Sequence, residues 1–189
     1  MALTATIHRI ELEISDIDRS VYHSESLRVA QHPSEEPERL VARVLAYALF
    51  WHERLLFARD LADAEEPSLW RHDDQGVLAT WIEVGSPTGK RLHRAAKVAD
   101  EVVVVVYKGP DDGRTGLCRA VAGMKIHRAD AIIVLALPAA VVAEVANKLV
   151  RSSSWTIIRA GDSLQIIVDD AVYAGTVRVS TLAETIAAG

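Results

Sequence analysis

Five consecutive valines, Val102 to Val106, stand between Glu101 and Tyr107. A strand of that composition has no polar side to turn toward water, so both of its faces must be covered. That requirement places it at the centre of a mixed sheet in an α/β fold. The neighbouring segments agree. Val77 to Val84 reads as a strand and Lys90 to Asp100 as a helix leading into the valines. The loop Gly109 to Gly116 precedes a helix to about Ile126, Ala131 to Leu137 is a second buried strand, and Ala139 to Val150 a further helix. Helix and strand therefore alternate through the middle of the chain.

The ends read differently. Residues 3–14 alternate apolar and polar at strand period, Asp16-Ile17-Asp18-Arg19 supplies turn chemistry, and Tyr22 to Gln31 pairs back as a hairpin. A long helix follows. Ser34 is its expected N-cap, with Pro37 and acids in the first turn, and Leu40, Val41, Val44, Leu45, Ala48, Leu49 and Leu55 repeat at helical spacing to about residue 57. Asp73-Asp74-Gln75-Gly76 is a hairpin turn. Near the C-terminus, Trp155–Ile158 and Leu164–Val168 form another hairpin, and Ala171–Val179 is the last expected strand. Without an internal repeat or an obvious linker, residues 1–189 read as one domain.

Composition narrows the function classes. A quarter of the residues are charged and half are hydrophobic, which excludes a disordered chain. The most apolar stretch, Ala129 to Val150, is interrupted by Asp130, Pro138, Glu144, Asn147 and Lys148, so it reads as strand plus helix and not as a membrane span. The first residues show no signal-peptide pattern. Cys118 is the only cysteine, so no intrachain disulfide forms; a cytoplasmic setting and a buried, hydrophobe-like role for the thiol are expected. A net charge of −5 argues against a sequence-blind, high-affinity nucleic-acid binder, while leaving room for a local basic groove or an acidic metal site.

Several catalytic signatures are missing from the sequence. The glycines at 109, 113 and 116 do not form a P-loop, no Gly-x-Ser-x-Gly elbow is present, and His52-Glu53 lacks the second histidine of a zinc protease. The seven histidines are scattered without ligand spacing. What remains is an ordered set of charges. Glu38 lies at the start of the long helix, Glu65 and Glu66 precede Pro67-Ser68, Glu83 stands inside a strand, and Lys90 and Arg91 open the next helix. Carboxylates in that order suit a hard divalent cation such as Mg²⁺, and a nearby lysine suits charge stabilisation at phosphorus. Each residue also has a plainer reading. Glu38 complements a helix dipole, Glu66 is solvated, Glu83 is the polar member of a half-exposed strand, and Lys90 and Arg91 are surface cations. Trp70 and Trp81 read as packing residues.

Three segments together resemble the bacterial YaeQ family. They are His32-Pro33-Ser34-Glu35 with Glu38-Arg39 and Arg43, then Glu66-Pro67-Ser68-Leu69-Trp70, and Trp81-Ile82-Glu83-Val84-Gly85-Ser86-Pro87 running on to Arg91 and Ala95. The likeness covers most of residues 1–108 and fades in the C-terminal third. It implies a fold similar to the PD-(D/E)XK nucleases: α/β, a mixed sheet flanked by helices with restriction-endonuclease-like topology, and an added N-terminal β-hairpin.

On that resemblance Glu38 matches the helix glutamate and Glu83 the strand acid, with Glu83, Glu38 and Glu66 as metal ligands and Mg²⁺ as the cofactor. Two positions depart from the superfamily pattern. Ser68 stands where an acid is usual, so Glu66 would have to compensate, and Gly85 stands where the motif has lysine, so Lys90, or Arg91 after it, would supply the cation. The resemblance therefore implies one of two functions. The first is a divalent-metal phosphodiesterase acting on nucleic acid through a local groove, with Glu38, Glu83 and Lys90 catalytic. The second is a nuclease-like scaffold without catalysis, binding or regulating a protein partner.

Overall fold

A computed structural model describes residues 5–58 and 66–189. In chain order the elements begin with β1 (Thr6–Asp16), β2 (Val21–Gln31), α1 (Pro37–Leu49), β3 (Leu56–Phe57), β4 (Leu69–His72) and β5 (Leu78–Val84). Next come α2 (Gly89–Val98), β6 (Glu101–Val106), a 3₁₀ turn at Pro110–Gly113, α3 (Arg114–Val121), β7 (Ile133–Ala136) and α4 (Ala139–Ala146). The chain finishes with β8 (Ser152–Ala160), β9 (Ser163–Val168), β10 (Ala171–Thr176), β11 (Arg178–Thr181) and α5 (Leu182–Ala188). The result is a mixed α/β fold with two mixed sheets, not the one sheet expected. Two compact units divide the chain: Met1–Trp51 with Ala140–Val177, and His52–Ala139 with Arg178–Gly189.

The first unit holds a five-stranded sheet in the order β10-β9-β8-β1-β2. The N-terminal hairpin forms one end of this sheet: β2 is the edge strand, and β1 pairs antiparallel with β2 and parallel with β8. The reason lies in one apolar row. Ile10, Leu12 and Ile14 face inward from β1; Ile10 is in register with Leu27, Leu12 with Trp155, and Ile14 with Ile157, and all of these are buried. Left alone, a two-stranded hairpin could not cover that row.

Helix α1 is buried along its whole length from Leu40 to Leu49. It starts later and stops earlier than its sequence suggests. Glu36, not Ser34, occupies the N-cap position, without a side-chain hydrogen bond. Ser34 instead forms a local turn with His32, its backbone N–H donating to the His32 Nδ1 at 3.2 Å. At the other end the Arg19 guanidinium, from the β1–β2 turn, donates to the carbonyls of Leu49 and Trp51 at 2.8 Å each. Those orphan carbonyls are satisfied by a side chain and no further helical turn is needed. Leu55 is buried, as its periodicity implies, but lies beyond the helix.

In the second unit the order is β11-β7-β6-β5-β4-β3. The valine strand β6 lies between β5 and β7, parallel to both, and Val102 to Val106 are at most 2% exposed. Val102, Val104 and Val106 pack into one cluster with Leu92 and Ala95 of α2, Leu117 and Val121 of α3, and Leu182 of α5.

The expected strand Ala171–Val179 is two strands in two different sheets: β10 pairs with β9 in the first unit, and β11 with β7 in the second. The exposed, small-residue stretch of β10 offers no apolar row to hold both halves in one sheet. Helices α3 and α4 are shorter than expected, ending at Val121 and Ala146. Cys118 is half-buried, and its thiol donates to the Thr185 carbonyl at 3.4 Å. Among the described residues no helix is long and apolar enough to cross a membrane.

Candidate functional site

Strand β5 is buried from Ala79 to Val84, and Glu83 is 5% exposed within it. Trp81, two residues earlier, projects to the same side of the strand. Its indole Nε1–H donates to the Glu83 Oε1 at 2.7 Å. Beyond Val84 the backbone turns at Gly85, whose N–H continues the pairing by donating to the Val105 carbonyl at 2.8 Å. Thr88 then caps α2, accepting the Arg91 N–H at 3.4 Å. That cap places Arg91 in the first helical turn, within reach of the strand.

The Arg91 guanidinium closes the group. Its Nε donates to Glu83 Oε1, its Nη2 donates to the Glu66 carbonyl, and its Cζ stands 5.7 Å from the centroid of a Trp81 ring. One arginine therefore joins the strand acid, the segment before β4 and an aromatic face. Ser68, 3% exposed, accepts the Val84 backbone N–H on its hydroxyl at 3.2 Å. The serine hydroxyl thus satisfies strand backbone.

Of the sequence-derived candidates, Glu83 and the Glu66 segment are brought together by Arg91. Lys90 is exposed on α2, and among the described residues it takes part in no ion pair. Glu38 belongs to the first compact unit, half-buried in the opening turn of α1. Glu65 lies outside the described residues. Among the described residues no three His, Cys, Asp or Glu side chains are grouped to hold a metal ion. As arranged here, Glu83 Oε1 already accepts from Trp81 and Arg91, and the Ser68 hydroxyl already accepts from Val84. Among the described residues, then, no grouped carboxylate oxygens face a common point as Mg²⁺ requires.

At Gly85 the backbone itself disfavours a lysine. Its φ of 113° lies in a region that L side chains rarely adopt, so a lysine there would be strained.

Two further polar clusters, both in the first unit, were not among the expected site residues, although Glu35, Arg39 and Arg43 carried part of the family resemblance. Glu35 accepts from Arg39 Nη1 at 2.9 Å and from Arg43 Nε and Nη2 at 2.8 Å each. Arg43 also donates to the Ala30 carbonyl at 2.8 Å, tying the end of β2 to α1. Burial pushes the Arg43 pKa down from its ordinary value, and Glu35 pulls it back up. The spacing Glu35, Arg39, Arg43 is the signal for this cluster: the two arginines stand one turn apart on α1, and Glu35 lies four residues before the first of them, just ahead of the helix. In the second cluster, Glu25 Oε1 accepts from the Tyr47 hydroxyl at 2.9 Å and from the Trp51 indole at 3.3 Å, with His23 Nε2 3.3 Å away. His23 and Glu25 share a strand face and Tyr47 and Trp51 stand four apart, but no spacing rule joins one pair to the other.

The YaeQ protein family model matches residues 1–176 of this chain. The chain belongs to the YaeQ family. Within that family it is 39% identical over 107 residues to the uncharacterized protein YaeQ of Escherichia coli K12, and equally so to that of Shigella flexneri. That stretch is 57% of this chain, and it spans 59% of the length of those relatives.

Solved YaeQ structures extend the likeness over nearly the whole chain. The Pseudomonas syringae protein superposes with a TM-score of 0.81 at 28% identity, covering 94% of this chain and 96% of its own. The Xanthomonas axonopodis pv. citri protein gives 0.80 at 33% identity, covering 94% and 99%. The two-sheet α/β architecture described above is thus that of YaeQ structures.

Proposed function

We propose that this YaeQ-family chain acts by binding, as a nuclease-like scaffold without phosphodiester hydrolysis, in a regulatory or partner-holding role. The ion pair of Glu83 with Arg91 carries this reading. A carboxylate that serves a metal keeps its lone pairs directed at the metal and its waters, whereas here the acid is buried against a guanidinium and an indole. Two further features support it: a serine that holds backbone where an acid is usual, and a glycine whose conformation disfavours lysine. A restriction-endonuclease-like ancestry and a cytoplasmic setting belong to the same reading.

Calorimetric titration with Mg²⁺ and Mn²⁺, run beside cleavage assays on single- and double-stranded nucleic acid, tests it. The expected result is no saturable metal binding and no cleavage that disappears in Glu83→Gln. Cleavage that depends on Glu83 and a divalent cation would reinstate a phosphodiesterase, with Glu38, Glu66 and Glu83 as metal ligands and Lys90 as the cation.

A further inference from the structure

Charge is unevenly distributed along this acidic chain. Residues 86–99 and 114–128 together hold eight of its 21 Lys and Arg and none of its 26 Asp and Glu. Both segments lie in the second compact unit, and the structure packs them together. The loop after α3 follows α2 from one end to the other. Met124 lies against Gly89, where an added Cβ would meet its sulfur at 2.7 Å, so glycine is what allows the approach. His127 donates its backbone N–H to His93 Nδ1 at 3.2 Å, and Arg128 Nη2 donates to the Asp100 carbonyl at 2.5 Å.

Beside that seam, Lys90, Arg94 and Lys97 stand at i, i+4 and i+7 along the outer face of α2, all exposed. Lys125 is exposed on the loop next to Met124. This basic face is not purely polar, because Val98 is 48% and Met124 39% exposed, at opposite ends of the helix. The opposite side of α2, with Leu92, Ala95, Ala96 and Ala99, is spent on the core.

We infer that this face docks an acidic amphipathic segment of a protein partner. The inference rests on the binding reading above and names its partner class. Cations spaced along one helical stripe complement a row of carboxylates, and the exposed valine and methionine give apolar side chains of the same segment a place to pack. Nucleic acid fits less well. A phosphate backbone makes no use of Val98 or Met124, neither acid-free segment contains a Phe, Tyr or Trp on which a base could stack, and the strongly acidic remainder of the chain opposes a long polyanion. The stripe follows a helix about 15 Å long, the length of a short helical segment.

The probe is a fluorescein-labelled synthetic helical peptide with glutamates on one face and leucines on the adjacent one. Two controls accompany it, the same peptide with serine for leucine and a short DNA duplex. Fluorescence anisotropy should show the peptide binding more tightly than either control and weakening as salt rises. The triple variant Lys90→Glu, Lys97→Glu, Lys125→Glu should lose about tenfold or more in affinity, a cost of order 1.4 kcal/mol. Met124→Ser should lose affinity for the leucine peptide alone. All the substituted residues are exposed, and unchanged thermal melting verifies the fold. Absence of peptide binding, indifference to the triple variant, or tighter binding of the duplex overturns the inference. Glu83-dependent cleavage in the same preparations overturns the binding reading itself, so the two failures are separable.

Discussion

Arg91 and Glu83 form an ion pair across the β5–α2 turn, with side chains only 22% and 7% exposed. The pair forms because the Thr88 cap sets the first turn of α2, and because Trp81 and the Glu66 carbonyl hold the two sides of the guanidinium in place. Glu83 would be costly to bury alone, and Arg91 is what makes its burial tolerable.

Arg91→Ala should therefore lower stability by about 3 kcal/mol, since it leaves a carboxylate buried without its cation. Arg91→Lys should recover only part of this, because one ammonium cannot reproduce the fork that reaches both Glu83 and the Glu66 carbonyl. Urea denaturation measures both. In a double-mutant cycle with Glu83→Gln, the double variant should cost less than the two single losses added together.

Gly85→Lys places a lysine where the nuclease-like resemblance implies one. At a φ of 113° it should cost about 1–3 kcal/mol in stability. It should also restore no metal-dependent cleavage. Thermal melting and a nuclease assay on the same preparation give the two readings.

Arg43 and Glu35 form a second, deeper pair, each side chain 2% exposed. Arg43→Met should destabilise by about 3–5 kcal/mol, because it strands the Glu35 carboxylate with Arg39 alone. Adding Glu35→Leu should return a large part of the loss. Chemical denaturation of the single and double variants compares them.

Burial and the hydrogen bond to Glu25 push the Tyr47 phenol above its ordinary value. A group whose folded pKa is raised contributes stability that is complete below its unfolded value, about 10 for tyrosine, and is lost as pH rises beyond it. The stability difference between the native protein and Tyr47→Phe should be level from neutral pH to about 10 and decline at higher pH. Unfolding free energies measured in steps from neutral to alkaline pH show whether it does.

Much of the fold was legible in local pattern. Val102 to Val106 announced a central strand because no other arrangement covers two apolar faces, and β6 lies between two parallel neighbours. The alternation of residues 3–14 announced β1, and the spacing from Leu40 to Leu55 announced α1, which the structure ends at Leu49. Glu83 stood out as an acid among apolar neighbours, but the reading of it as the polar member of a half-exposed strand gives way to a buried position. Helix α5 was missed, although Thr181 and Glu184 form a capping box whose signature was present in the sequence.

By itself, then, the sequence determined most of the strands and helices, which of their faces are apolar, and that an acid stands inside the strand at position 83. These depend on period and propensity within a few residues. Tertiary structure alone decided that β1 joins β8, that Arg19 ends α1 and that β10 and β11 part into separate sheets. It also decided that Arg91, not the exposed Lys90, meets Glu83. Those outcomes depend on which distant groups satisfy a buried carbonyl, carboxylate or strand edge, and no local spacing encodes that.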